Sequence, residues 1–373
     1  MGSRRRLVSL LPLAGLVAAC SSPYHPPVVV HGSTPFPGIA ATVQAAGRQP
    51  VDVLLVHGMC THDDAWATRQ IDHIAGIVDP HAPQPAAAAT GIHVVESTRR
   101  LAGGTVRFHA IVWSPLTSGL KRQLDYDRTA PPTDCRTGDE CKPVRARING
   151  AVKDKLLDDC LSDPVIYEGV SHAAIRDAMV GTIAGVIADN PNDAGTLVVV
   201  AESLGSKMLF DALSSMLESG DPRLQTLGQQ ASRRLGLLFM AGNQLPMLGL
   251  AGQQAVAGAA APQAKPQAMA QDALQRFLDL RRHQSGSPAE RRPGQLGRLA
   301  IVAFTDPNDL LSYQLLPARY AAPDVAVADV LVSNDRTWLG LLENPVNAHL
   351  DYLRNPDVAQ LVACGFPRAP GCP

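Results

Sequence analysis

The chain has almost no net charge: 33 Lys and Arg against 34 Asp and Glu leave a formal −1 at pH 7. Nucleic-acid partners are held by clustered Lys and Arg, so a chain this balanced is not expected to bind one. Charged residues of either sign are sparse, at 18%, while 46% of the chain is hydrophobic. That ratio supplies a substantial core and excludes global disorder. Beyond the N-terminus no apolar run reaches the length of a bilayer span. What remains is a chain of 373 residues, longer than a usual single-core domain. One large α/β domain carrying insertions fits that length.

The N-terminus has its own pattern. Arg4, Arg5 and Arg6 precede an apolar stretch from Leu7 to Val17, followed by Ala18 and Ala19. A cationic start, a short apolar stretch and small residues make an export signal over residues 1–19. The segment Val17-Ala18-Ala19-Cys20 also resembles a bacterial lipobox. That resemblance implies a lipidated Cys20 as the first mature residue, tying the protein to a membrane of the bacterial cell envelope. Ser21 implies the outer membrane, facing the periplasm. Losing the three arginines with the signal would take the charge to −4, 30 basic minus 34 acidic. Six further cysteines, Cys60, Cys135, Cys141, Cys160, Cys364 and Cys372, are an even set for an oxidising compartment. The close pairs Cys135/Cys141 and Cys364/Cys372 are expected to join locally, leaving Cys60 for Cys160. Residues 20–50, rich in Pro, Gly, Ser and Ala after the cysteine, are expected to form a flexible tether.

The remainder, 51–373, alternates apolar runs with helical periodicity. Val51–Val56, Ile92–Ser97, Val106–Trp113, Leu197–Ala201, Leu235–Met240, Leu299–Phe304 and Ala326–Val332 read as strands. Residues 64–77, Val165–Asp189 and Leu204–Leu217 read as helices. Strands alternating with helices predict a mostly parallel central sheet flanked by helices. Two stretches break the rhythm. Residues 114–163 are polar and cysteine-bearing. Residues 251–297 are rich in Ala, Gln, Pro, Gly and Arg, with one amphipathic face of Ala270, Leu274, Phe277 and Leu278. The second is expected to be a surface insertion or a mobile lid over an apolar site.

Three motifs carry chemistry. Val200-Ala201-Glu202-Ser203-Leu204-Gly205 places a serine between an apolar strand and a helix. A sharp strand-to-helix turn there exposes the hydroxyl and needs small neighbours. Gly205 satisfies this, and Ala201 stands where the G-x-S-x-G pattern has its first glycine. The Leu204 N–H, at the helix start, faces a developing oxyanion. The second motif, Val56-His57-Gly58-Met59, ends the first strand and offers the Met59 N–H as the other oxyanion donor, with His57 as a brace of the loop. His57, Cys60, His62, Asp63 and Asp64 have metal-ligand chemistry, but their spacing matches no closed zinc pattern. The third motif is chain order. Only His283 and His349 follow Ser203. His283 lies in the irregular insertion, so His349 is the expected base. The acid is expected from the loop after Leu299–Phe304, where both Asp306 and Asp309 are available.

Together these motifs, over roughly residues 51–363, resemble the α/β-hydrolase superfamily. The resemblance implies an eight-stranded α/β-hydrolase fold and a Ser203-Asp309-His349 triad with oxyanion donors Met59 and Leu204. It also implies hydrolysis of carboxylic esters without cofactor or metal. Esterase, lipase, thioesterase, acyltransferase and peptidase chemistry share such a triad. Membrane attachment tilts the expected substrate towards small-molecule or lipid esters. The rival expectation is a non-catalytic envelope lipoprotein with a hydrolase-like binding domain.

Overall fold

Strands buried on both faces are unbroken apolar runs, and such runs build the centre of this molecule. The computed structural model describes residues 20–32, 35–79, 91–129, 143–190, 194–253, 270–284 and 295–372. Its main sheet contains β1 (Val28–Gly32), β2 (Val51–Val56), β3 (His93–Leu101) and β4 (Gly104–Val112). It is completed by β5 (Leu197–Glu202), β6 (Leu235–Ala241), β7 (Leu299–Thr305) and β8 (Val325–Leu331). The order across the sheet is β1-β8-β7-β6-β5-β2-β4-β3. The six strands from β8 to β4 run parallel, while β1 and β3 close the two edges antiparallel.

Alternation along each strand feeds two cores. In β5, Leu197, Val199 and Ala201 point into one and Val198 and Val200 into the other. Helices α1 (Ile39–Ala46), α2 (Asp64–Val78) and α8 (Pro356–Cys364) cover one face. Helices α3 (His172–Ala188), α4 (Ser203–Leu217), α5 (Pro222–Arg234) and α6 (Ala273–Gln284) cover the other. The remaining named helix, α7 (Pro345–Leu350), carries His349. The result is a mixed α/β fold with a large, mostly parallel sheet between helical layers. Among the described residues no single helix is long and apolar enough to cross a membrane.

Three expectations are corrected. Residues 20–50 are not a tether. Val28-Val29-Val30 supplies β-branched residues for the β1 edge strand, and α1 buries Ile39, Ala40 and Val43 under β4. The Pro and Gly content of this stretch punctuates short elements instead of dissolving them. The chain is pinned from its first described residues: Cys20 and Ser21 pair antiparallel with Trp338 and Thr337, and Tyr24 N donates to Ser333 Oγ at 3.0 Å. Second, the amphipathic stretch in 251–297 is not a lid. Leu274, Phe277 and Leu278 of α6 are buried, and the Phe277 ring stacks on Phe210 of α4 at 5.9 Å. Its apolar stripe is satisfied by α4, the helix that begins at Ser203. Third, the helix expected over Val165–Asp189 is broken near Gly169, and the segments on either side meet at 95°.

Cys60–Cys160 and Cys364–Cys372 are disulfides, as expected. The expected Cys135/Cys141 pair lies outside the described residues, as does the proposed signal at 1–19.

Candidate active site

The C-terminal ends of the parallel strands gather the site. Strand β5 ends at Glu202, and α4 begins at Ser203 with no side chain capping its first turn. Ser203 has φ +50°, a left-handed conformation that costs a non-glycine residue about 1–3 kcal/mol and clusters at functional sites. The turn is tight because the β2 loop passes directly against it. A Cβ on Gly205 would lie 2.2 Å from the His57 carbonyl oxygen, and one on Gly58 would lie 2.9 Å from Ser203 Cβ. Both glycines are therefore required by close backbone approach. Gly58 thus packs directly against Ser203, with Met59 following it in the β2 loop and Leu204 following Ser203 in α4.

His349 reaches Ser203 from the other end of the chain. Asn344 caps α7 by accepting from Val346 N, and Pro345 occupies its first turn, so this short helix starts where Asn-Pro demands. Ser203 Oγ stands 3.1 Å from His349 Nε2. On the far side of the ring, Nδ1 lies 2.9 Å from both oxygens of Asp309. A carboxylate only accepts, so Nδ1 carries the proton and Nε2 is the acceptor facing the serine. Asp309 also accepts from Leu311 N at 2.9 Å and from the Tyr352 hydroxyl at 3.0 Å. Burial, and then the Asp309 charge, hold the Tyr352 phenol well above its usual range, so it keeps the proton it donates. Asp306 is placed otherwise. It accepts from Asn308 N and Asn334 N and braces the loop.

His57 is likewise structural. Its Nδ1 donates to the Gly58 carbonyl at 2.7 Å, and its Nε2 accepts from Trp113 N at 3.0 Å. Burial, then the nearby His62, push it well below its usual range, so the ring stays neutral. Cys60 is committed to its disulfide. Among the described residues no group of three His, Cys, Asp or Glu side chains is arranged to hold a metal.

Sequence reasoning missed what holds the Met59 loop. Cys60 N donates to Asp163 at 2.8 Å, and Thr61 Oγ1 donates to Asp159 at 2.5 Å. Lys121 bridges both carboxylates, and the Cys60–Cys160 bond adds a covalent tie. The 114–163 insertion is thus a clamp on this loop. Gln244 was also missed. It is buried just beyond β6, with Nε2 3.5 Å from His349 Nε2 and 3.9 Å from Met59 Sδ, while its Oε1 has no partner. Position after a strand's C-terminal end was its only signal in the sequence.

Glu202, directly before the serine, is buried, and burial pushes its carboxyl up from 4.5 to about 8. A hydrogen bond from the Leu353 backbone and the Arg354 charge oppose this shift without cancelling it. Between about pH 4.5 and 8 the folded chain retains a proton that the unfolded chain releases. Stability must therefore fall with rising pH across that window, by roughly 1.4 kcal/mol per unit at most. Glu202→Gln is expected to remove this slope. Urea melts of both proteins at pH 5 and pH 8 test it, and parallel pH profiles would show that Glu202 ionises freely.

No protein-family model, curated protein or solved structure matches this chain. The site therefore rests on geometry. A hydroxyl, an imidazole and a carboxylate are aligned in hydrogen-bonding order beside a helix N-terminus. Such an arrangement can move a proton off the hydroxyl and stabilise the cation that results.

Proposed function

We propose that this chain is an exported, lipid-anchored serine hydrolase of the α/β-hydrolase type, cleaving carboxylic esters through an acyl-enzyme. The single observation that carries the reading is the continuous Ser203–His349–Asp309 chain, set at a strained strand-to-helix turn. In the proposed reaction Ser203 Oγ attacks the ester carbonyl while His349 Nε2 takes its proton. Asp309 holds the imidazole tautomer and offsets its positive charge. The N–H groups of Met59 and Leu204 receive the oxyanion; losing one such donor typically costs about a hundredfold or more. His349 returns the proton to the leaving alcohol and then draws one from the water that releases the acid. Cys20, exposed with a free thiol, is the proposed lipid site. Two disulfides support an oxidising compartment.

A fluorophosphonate probe tests the reading. Stoichiometric labelling at Ser203 is expected, together with hydrolysis of p-nitrophenyl esters. Increasing acyl length then resolves the substrate class: a rate rising towards medium chains supports lipid-like esters, and a preference for acetyl alone argues against them. A folded protein that neither labels nor turns over any ester would be the non-catalytic binding module instead.

A further inference from the structure

Five large apolar side chains lie exposed around one rim of the sheet. Trp338, Leu339, Leu341 and Leu342 form the tip of a loop, with exposures between 61% and 67% for three of them and 85% for Leu341. Leu310, the residue after Asp309, is exposed by 75%. Scattered single leucines on a surface are ordinary, but a contiguous tryptophan and three leucines are not. The loop is braced against the acid loop: Asn308 Nδ2 donates to Glu343 Oε2 at 2.7 Å, and Asp335 N donates to its other oxygen at 3.2 Å. It is therefore a held protrusion beside the Asp309–His349 pair.

Its neighbour identifies what covers it. Cys20 is the direct cross-strand partner of Trp338, and Ser21 Oγ lies 2.7 Å from Thr337 Oγ1. Cross-strand partners sit about 5 Å apart. The apolar stretch Leu7–Val17 precedes Cys20 in the sequence. A lipid on Cys20 would place the membrane attachment directly beside the loop.

We propose that Trp338, Leu339, Leu341 and Leu342 insert into the lipid bilayer beside Cys20, holding the rim of the Ser203 site against the membrane surface. Tryptophan at a headgroup boundary and leucines below it match the preferences of membrane interfaces. The docking does not depend on the ester-hydrolase reading. The membrane attachment at Cys20 rests on the lipoprotein reading, and the two are separated below.

Trp338 reports the insertion itself. The chain has three tryptophans, and Trp66 and Trp113 are buried. The full chain is reconstituted in phosphatidylcholine vesicles whose acyl chains carry bromine, and the Trp338 signal is taken as the difference from Trp338→Phe. Docking predicts quenching by the acyl bromine and shielding from aqueous iodide on vesicles, with full iodide access in detergent-free buffer. The exposed-site variant Leu339→Ser/Leu341→Ser/Leu342→Ser is expected to restore iodide access on vesicles with unchanged thermal unfolding. Iodide access on vesicles without bromine quenching overturns the proposal. So does shielding in buffer accompanied by a doubled mass in light scattering, which would mean a second copy covers the loop. Mass spectrometry of Cys20 reads acylation separately, and fluorophosphonate labelling reads the hydrolase separately.

Discussion

Ser203→Ala is expected to lower kcat for ester hydrolysis by about a million-fold, and His349→Ala by a similar factor, while the double variant loses little more. The reason is geometric. A serine hydroxyl is a weak nucleophile unless a base takes its proton, and in the proposed mechanism His349, 3.1 Å away, is that base. Removing either partner removes the whole step, so the losses do not add. Asp309→Asn should cost less, about ten-thousand-fold, because it disturbs the tautomer that Asp309 holds through Nδ1. Single-turnover kinetics with a p-nitrophenyl ester, alongside circular dichroism of each variant, provide the check. Losses of the two single variants that multiply in the double would mean independent roles and would break the proposed mechanism.

Asp52→Ala is expected to destabilise the fold by about 3–5 kcal/mol. Asp52 is the second residue of β2, at the end of the sheet opposite Ser203, and is buried. It accepts two hydrogen bonds from Arg107, at 2.7 and 2.8 Å, one from His109 at 3.2 Å, one from Asn190 and a close one from Arg234. Arg234 is itself buried, so removing the carboxylate strands a guanidinium away from water. Burial alone would push the Asp52 carboxyl up. The hydrogen bonds from His109 and Arg107 and the charge of Arg234 outweigh it and hold the group well below its usual 3.8. A depressed folded pKa contributes stability in full above the unfolded value and loses it as pH falls. The gap between wild type and variant should thus be widest near neutrality and close progressively below about pH 4. Urea denaturation at pH 7 and pH 3 measures both. A gap under about 1 kcal/mol at pH 7 would mean that Arg234 relaxes into solvent. The folded variant should keep ester turnover, since Asp52 lies a full strand length from the serine.

Much of this was legible because apolar runs leave few alternatives. Val51–Val56 and Leu197–Glu202 are too short for buried helices and too apolar for surface, so they read as central strands, and the residues just past them read as site positions. His349 followed from order along the chain, while the acid was narrowed to Asp306 or Asp309, with Asp309 favoured. The errors share a cause. Val28–Gly32 was hidden because an edge strand needs pairing on one side only and so carries a short signal within a Pro-rich stretch. The amphipathic face of helix α6 was legible, but where it packs was not, because its buried residues are met by a partner, Phe210, far away in sequence. Gln244 and the Asp159–Asp163–Lys121 clamp have no local pattern at all; polar side chains become meaningful only when burial leaves them few partners.

The sequence by itself determined the parallel α/β architecture, the serine at a strand-to-helix turn and the order in which its partners appear. Periodicity and backbone sterics are local, and local rules suffice for those. Only the tertiary structure decided which aspartate meets the imidazole, what secures the Met59 loop and why Cys20 lies beside an apolar protrusion. Each of these depends on residues far apart in the chain being brought within a few ångströms, and contact at that range is set by packing.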